Sequence, residues 1–410
     1  TSISITNQSA GDQLLSELGK GAIQGVSQYI SRKMREEKVH LKSGYTLMLY
    51  QNATNFITAT TFETLTGNKC LIDTFDRNFE FSVEHVALAK QADLVLLAPA
   101  TANVIGKIAN GIADDMLTTT VMACTCKVLV APAMNHNMYH NSIVQENLEK
   151  LKRHGYEMID PVCGMLANGD TGDGKLPSEE TLVEYVLREL AFEKDMQGLK
   201  VLVTAGPTQE AIDPVRFISN HSTGKMGYAI AKNAMLRGAE VTLVTGRTAL
   251  ESPMFVKTVP VTSAKDMYQA VMECAKEQDI IVKAAAVADY TPAHTADEKI
   301  KKSEGELSLA LEKTTDILAE LGKNKGNTVL CGFSMETEHM LENSRAKRKK
   351  KNLDMIAANN LKQQGAGFAG DTNVLTLITE DWEKELALMS KDEAAKCLLD
   401  ELLKIKKNKK

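Results

Sequence analysis

The residues able to do chemistry in this 410-residue chain gather at the ends of short apolar runs. The run Ala92–Ala100 leads into Pro99-Ala-Thr101-Ala-Asn103. Small residues there let the backbone approach a flat ligand, while hydroxyl and amide groups bond its polar edge; the same residues also suit a helix cap. A second run, Lys127–Met134, ends with similar punctuation at Asn135, and Met138 follows three residues on. His85, in Ser82-Val-Glu-His-Val-Ala-Leu-Ala89, is either a proton acceptor near neutral pH or a structural imidazole. Asn168–Gly174 has the composition of a cation loop but lacks the distal glutamate of an EF-hand, and reads as a flexible flap. In the second half, Gly206-Pro-Thr-Gln-Glu210 through Gly224-Lys-Met-Gly227 sets glycines at a strand end and a helix start. That suits a phosphate at a helix N-terminus, or a tight turn with close helix–sheet packing. The spacing is not G-x-G-x-x-G, so a dinucleotide dehydrogenase is not indicated. Asp289, closing Ala284–Asp289, is placed to hold a metal or a ribose, or to cap a turn. Lys299-Ile-Lys-Lys302 follows, and Arg345–Lys351 carries six basic residues in seven, a solvated helix face or a triphosphate clamp.

Such strand-end residues need a sheet to present them. Short runs apolar on both faces, alternating with amphipathic helices, predict parallel sheets covered by helices. Val201–Gly206, a helix over Gly224–Gly238 and a strand at Glu240–Thr245 form a βαβ unit, and further strands are expected at Asp279–Ala286 and Thr328–Gly332. In the first half a helix is expected near Val104–Ile112. A polar linker at Gln197–Lys200 puts a domain boundary near residue 195, giving domains of 1–190 and 197–410. Gly11–Leu41 reads as one or two amphipathic helices, no opening strand is legible before Thr46–Tyr50, and the lysine-rich tail Lys404–Lys410 is expected to fray. A net charge of −5 argues against nucleic acid, and no apolar run approaches a membrane span. Seven scattered cysteines, with no C-x-x-C pair, predict reduced thiols in a cytoplasmic protein.

Taken in order, these motifs resemble those of the bacterial bifunctional phosphopantothenoylcysteine decarboxylase / phosphopantothenate–cysteine ligase family of coenzyme A synthesis. The first half contributes Glu84-His-Val, Pro99-Ala-Thr-Ala-Asn and Ala131-Pro-Ala-Met-Asn-His-Asn-Met138. The second contributes the long block Asp213–Gly227, Ala285–Tyr290, Lys299–Lys302, Asp316-Ile317, Gly332-Phe333 and Lys347–Asn352. The resemblance implies an α/β fold, with an N-terminal flavodoxin-like FMN domain and a C-terminal Rossmann-like ligase domain, both with largely parallel sheets. It implies that CTP, with Mg²⁺, activates 4′-phosphopantothenate as an acyl-cytidylate, and that the amine of cysteine displaces CMP. FMN-dependent decarboxylation then gives 4′-phosphopantetheine by way of a thioaldehyde and an enethiol.

By the same resemblance His85 is the decarboxylase base, Asn135 holds the substrate carboxylate, Met138 completes that motif, and Pro99, Thr101 and Asn103 belong to the FMN site. Asn220 stabilises the acyl-cytidylate beside Arg216 and Ala285. Gly206, Asp289, Lys299, Thr315, Asp316, Ile317, Leu318, Phe333, Lys347 and Lys351 fall on the CTP side, and no metal ligand is assigned. Two places depart from the pattern. The flap carries Asn168 where the family has an acidic Cys, with Cys163 five residues earlier as a stand-in. The Gly-rich phosphate turn is matched only by Gly21, Gly25, Ser27 and Tyr29 at shifted spacing. A homo-oligomer is implied. The alternative is a ligase alone, its N-terminal half a scaffold for oligomerisation or a non-catalytic regulator.

Overall fold

The structure is a computed structural model and describes residues 2–6, 45–55, 58–74, 84–166, 169–301, 308–336, 339–360 and 370–409. The expected Gly11–Leu41 helices and Asn168 lie outside these residues. The chain divides into two compact units, Thr1–Phe192 and Glu193–Lys410.

Unit 1 is built on a sheet of β1 (Ser2–Thr6), β2 (Tyr45–Leu49), β3 (Cys70–Leu71), β4 (Leu94–Ala100), β5 (Lys127–Pro132) and β6 (Glu157–Met158). The order is β3-β2-β1-β4-β5-β6 and every pairing is parallel. Without the two-residue β3 at the edge this is the flavodoxin-like order, with its switch point between β1 and β4. β1 corrects the expectation that no strand precedes Thr46. Its sequence alternates Ser and Ile, the pattern of a half-exposed strand, and its pairing to Tyr45–Leu49 is too distant for a local pattern to encode. β4 and β5 are buried almost throughout, as strands covered on both faces must be.

The helices of unit 1 are α1 (Ala59–Thr66), α2 (Glu84–Gln91), α3 (Ala102–Ala109), α4 (Met116–Ala123), α5 (His136–Tyr139), α6 (Ser142–Arg153) and α7 (Glu179–Leu190). α3 buries Val104, Ile105, Ile108 and Ala109 and stops before Gly111, whose φ of +70° no helix continues. The expected end at Ile112 is therefore three residues too long. The hairpin β7 (Val162–Met165) and β8 (Thr171–Lys175) converts most of the expected flexible flap into paired strand.

Unit 2 contains an eight-stranded sheet in the order β13-β12-β9-β14-β17-β18-β20-β21. Its parallel members are β9 (Lys200–Ala205), β12 (Glu240–Thr245), β13 (Lys257–Pro260), β14 (Ile280–Lys283), β17 (Val329–Glu336) and β18 (Met355–Asn360). β20 (Leu375–Ile378) and β21 (Glu383–Glu385) add an antiparallel edge. The parallel part follows the Rossmann order, and its direction reverses between β9 and β14. Small antiparallel pairs join β10 (Gln209–Ala211) to β11 (Phe217–Ser219), β15 (Tyr290–Pro292) to β16 (Leu311–Lys313), and β19 (Thr372–Asn373) to β22 (Met389–Ser390).

Its helices are α8 (Lys225–Leu236), α9 (Ala264–Cys274), α10 (Ile317–Lys323), α11 (Met340–Lys350) and α12 (Lys391–Asn408). α8 lies very close to β9, for a Cβ on Gly227 would stand 2.5 Å from the Ala205 Cβ. The described C-terminal lysines, Lys404 to Lys409, do not fray. α12 runs to Asn408, with Lys406 paired to Asp279 at 2.9 Å and Lys409 to Asp354 at 2.7 Å. A lysine run reads as mobile until carboxylates elsewhere in the fold meet it. Among the described residues no helix is long and apolar enough to cross a membrane.

Candidate functional site

A cleft of about 680 Å³ opens at the carboxyl ends of β14, β17 and β18. This is where open α/β sheets place ligands, beside the point where strand order reverses. Its floor is Lys283, the last residue of β14, and the segment Ala284–Val287 after it, with Phe333 and Ser334 of β17 and Asn359 of β18. The starts of two helices face it. Gly224, with φ +81°, opens α8, and Asp316 caps α10 by accepting from the Ala319 amide at 3.0 Å. Asn220, just past β11, donates from Nδ2 to the Ala286 carbonyl at 3.0 Å.

Six lysines line the cleft (225, 283, 313, 347, 351 and 391) against two aspartates, 289 and 316, a field suited to a polyanion. The basic run divides as a helix divides its faces. Lys347 and Lys351 look into the cleft, while Arg345 forks onto Glu383. Lys351 pairs with Asp316 at 2.7 Å, and Lys347 reaches the Phe333 carbonyl at 3.5 Å. Burial alone would raise the Asp316 carboxyl, but the Lys351 ion pair and the Ala319 amide outweigh it and hold the group low.

Lys283 ends β14 inside this ring. Burial, reinforced by Lys347 and Lys351, lowers its ammonium from the ordinary 10.5 to about 8. Lys391, mostly buried at the start of α12, is lowered by burial and by Lys225, and donates to the Gly370 carbonyl.

Of the residues expected on the ligase side, Asn220, Ala285, Asp289, Thr315, Asp316, Ile317, Leu318, Phe333, Lys347 and Lys351 line this cleft together. Gly206, Arg216 and Lys299 are not among its lining residues. Gly206 has φ +71° and sits tight against Thr248 and Gly246, which matches the close-packing alternative for its glycine. Arg216 forks onto Asp213, a carboxylate shut away from solvent that Arg216 and the amides of Val215, Arg216 and Ile300 hold far below the usual range. Arg216 also donates to the Ile300 carbonyl at 2.8 Å, so this turn anchors the segment that bears the exposed Lys299.

Sequence reasoning did not single out Lys283, Lys391, Asn359 or Asn373. For Lys283 a signal existed, since a charge inside the apolar run Asp279–Ala286 must have somewhere to point. For Lys391 and Asn373 none did. They reach the cleft because α12 packs on α8 and the β19–β22 pair lies beside it.

In unit 1 Pro99, Thr101, Asn103, Asn135 and Met138 lie at or just beyond the carboxyl ends of β4 and β5, whereas His85 and Cys163 do not. Thr101 is buried and caps α3 through Val104 N at 3.5 Å, Pro99 follows a cis peptide, and Asn103 lies in the first turn of α3. Asn135 caps α5 by accepting from the Asn137 amide at 2.9 Å, and Met138 is 45% exposed on that helix. The hairpin lies against this loop. Met134 N donates to the Gly174 carbonyl at 3.0 Å, and a Cβ on Gly174 would collide with the Met134 carbonyl oxygen at 2.2 Å. Cys163 is exposed on β7, opposite Asp173 of β8. His85 is half-buried on α2.

Two family descriptions match the chain: "DNA/pantothenate metabolism flavoprotein C-terminal domain" over residues 196–405 and "Flavoprotein" over residues 30–191. The coenzyme A biosynthesis bifunctional protein CoaBC of Bacillus subtilis is 43% identical over 387 residues, 93% of this chain and 95% of that protein. Its counterpart in Haemophilus influenzae is 39% identical over 390 residues, 94% of this chain and 97% of that protein. A crystal structure of the C-terminal domain of a CoaBC protein is 40% identical, with a TM-score of 0.46, and covers 53% of this chain and 100% of its own.

Proposed function

Because the chain belongs to the family of bifunctional coenzyme A biosynthesis proteins, with a flavoprotein decarboxylase part and a ligase part, we propose how its own residues divide the two reactions. Unit 2, residues 197–410 in essence, is the CTP-dependent ligase. The observation that carries this reading is the lysine-rich cleft, in which ten of the expected residues meet.

In the ligase, a carboxylate oxygen of 4′-phosphopantothenate attacks the α-phosphate of CTP, and pyrophosphate leaves with the bonding pair. The amine of cysteine then attacks the acyl carbon, and CMP leaves. Lys347 and Lys351 offset the phosphate charge, with Lys283 behind them. Asn220, with a carboxamide already oriented by the Ala286 carbonyl, holds the acyl-cytidylate beside Ala285. Gly206, Arg216 and Lys299 act from outside the lining, Arg216 by fixing the turn that carries Lys299. Thr315, Asp316, Ile317, Leu318 and Phe333 shape the nucleotide end. Asp289 is an exposed carboxylate on the cleft wall, a hard oxygen donor that fits Mg²⁺.

Unit 1, residues 1–190, is the decarboxylase. Pro99, Thr101 and Asn103, at the carboxyl end of β4 next to the switch point, fit a flat flavin with polar edges. FMN, when bound there, supplies the two-electron oxidation and the return reduction that loss of the cysteine carboxylate requires. His85 takes the proton, Asn135 holds the carboxylate, and Met138 covers the substrate. Cys163, on the hairpin against the Asn135 loop, is the proton donor in place of the acid absent at Asn168. The protein works in the cytoplasm as a homo-oligomer.

The test is incubation of the whole chain with 4′-phosphopantothenate, CTP, Mg²⁺ and cysteine, with the products identified by mass. 4′-Phosphopantetheine is expected. Phosphopantothenoylcysteine alone would instead favour the ligase-only alternative, and no CTP-dependent product would overturn the proposal.

A further inference from the structure

Three metal-ligating side chains converge on unit 1 and have no part in the chemistry above. His136 opens α5 and His140 is its C-cap, four residues on, so both rings lie along one side of the helical turn. Their centroids are 4.5 Å apart. Asp173 comes from β8, and its Oδ2 stands 3.0 Å from His140 Nε2, while its backbone N–H donates to His136 Nδ1 at 3.2 Å. One ligand atom from each of the three lies within 4.8 Å of the others. A tetrahedral ion with ordinary zinc–nitrogen and zinc–oxygen bonds sets its donors about 3.3 Å apart, so small side-chain rotations close the set.

The position of the first ring is built into the hairpin. The His136 imidazole rests on bare backbone at Gly172, where a Cβ would come within 2.7 Å of Nδ1 and 2.9 Å of Cγ. Any other residue there would push the ring off β8. Two imidazoles and one carboxylate select a borderline ion of the zinc class over Mg²⁺ or Ca²⁺, which prefer oxygen donors alone. Half-exposed His140 and Asp173 leave a fourth position to water.

We propose that His136, His140 and Asp173 bind one divalent cation of the zinc class, and that the ion fastens β8 of the hairpin to α5. The Asp173 carboxylate exchanges its contact with His140 for the ion, and His136 exchanges its contact with the Asp173 amide. The ion thereby holds the hairpin strand opposite Cys163 against the turn that follows Asn135. The site rests on ligand geometry alone and stands whether or not unit 1 decarboxylates.

The experiment is calorimetric titration of the full chain with Zn²⁺ alone, in a Cys163→Ser background so that the thiol paired with Asp173 takes no part. One equivalent is expected to bind. His140→Ala and Asp173→Asn, both at half-exposed positions that empty no core, should each weaken binding about tenfold or more. Hydrogen exchange over residues 171–175 should slow on adding Zn²⁺ in the parent and stay unchanged in His140→Ala. Equal zinc affinity in parent and both variants would overturn the site. Tight binding without slower exchange in the hairpin would overturn the fastening.

Discussion

Replacing Lys283 by Met should make the empty protein more stable at neutral pH, although it removes a side chain from the middle of the cleft. Methionine keeps the apolar stem and deletes the ammonium. The folded amine titrates near 8, against the ordinary 10.5, because burial, Lys347 and Lys351 all oppose its charge. Below pH 8 both folded and unfolded chains hold the proton, and the folded state bears the full cost of keeping it in the cleft. Between pH 8 and about 10.4 the unfolded chain binds more protons, so this cost fades as pH rises through that window. At about 1.4 kcal/mol per pH unit the cost at pH 7 is at most about 3 kcal/mol, falling below about 1 kcal/mol at pH 10. Water in the open cleft reduces both figures, so a gain of about 1–3 kcal/mol at pH 7 is expected. The assay is urea denaturation of parent and Lys283→Met at pH 7 and pH 10, followed by a probe of unit 2. Groups remote from Lys283 cancel in the difference between the two chains, and Asp316, whose carboxyl Lys283 helps to lower, stays ionised at both pH values. A variant less stable than its parent at pH 7, or a difference that does not change with pH, would refute the electrostatic argument. A gain that does follow pH would mark Lys283 as a residue kept for its ligand at the expense of the fold.

Other substitutions probe the same unit. Asn220→Asp loses the donor to the Ala286 carbonyl and sets a negative charge beside the phosphates, so CTP-dependent pyrophosphate release should fall about a hundredfold or more; turnover near the parent rate would remove Asn220 from the mechanism. Lys347→Ala and Lys351→Ala should each raise the apparent CTP constant more than Lys299→Ala does, since only the first two line the cleft; the opposite ranking in initial-rate measurements would count against this assignment. Freed of its lysine, the Asp316 carboxyl should titrate higher in Lys351→Ala, which NMR titration of that carboxyl can follow. Gly227→Ala would drive a methyl into Ala205 and the Thr204 carbonyl, and denaturation should record a loss of about 1–3 kcal/mol, where an unchanged midpoint would mean that α8 shifts freely on β9.

The alternation of apolar runs and helices is local, and it was enough to read both parallel sheets and strands such as Glu240–Thr245. Asn135 and Asp289, which we propose face ligand, could be picked out because each follows within a few residues the end of a parallel strand, where open sheets present side chains to a cleft. What depends on distant parts of the chain was not legible. β1 is defined by partners at residues 45–49 and 94–97, and its own alternating sequence looks half-polar. Lys391 enters the cleft only because the last helix folds back on α8, and the terminal lysines are ordered only because Asp279 and Asp354 wait for them. Lys283 could have been found, since a lysine closing a buried strand needs a wet or anionic place to go. In unit 1 the motifs pointed to Asn135 and Met138 but not to the second histidine beyond them, which acquires its meaning from an aspartate 33 residues on.

Arg237, at the end of α8, is 5% exposed and holds Asp195 at 2.6 Å with one nitrogen and Asp400 at 2.8 Å with another. The first aspartate belongs to the strand of chain that enters unit 2, and the second to its last helix. One guanidinium thus brings the beginning and the end of the unit together, with only about 12 Å of helix beyond Asp400. A chain whose ends meet has no topological need to start where it does. Joined by a short Gly-Ser linker and reopened at the exposed Gly326-Asn327 turn, unit 2 should fold as a circular permutant with its cleft intact.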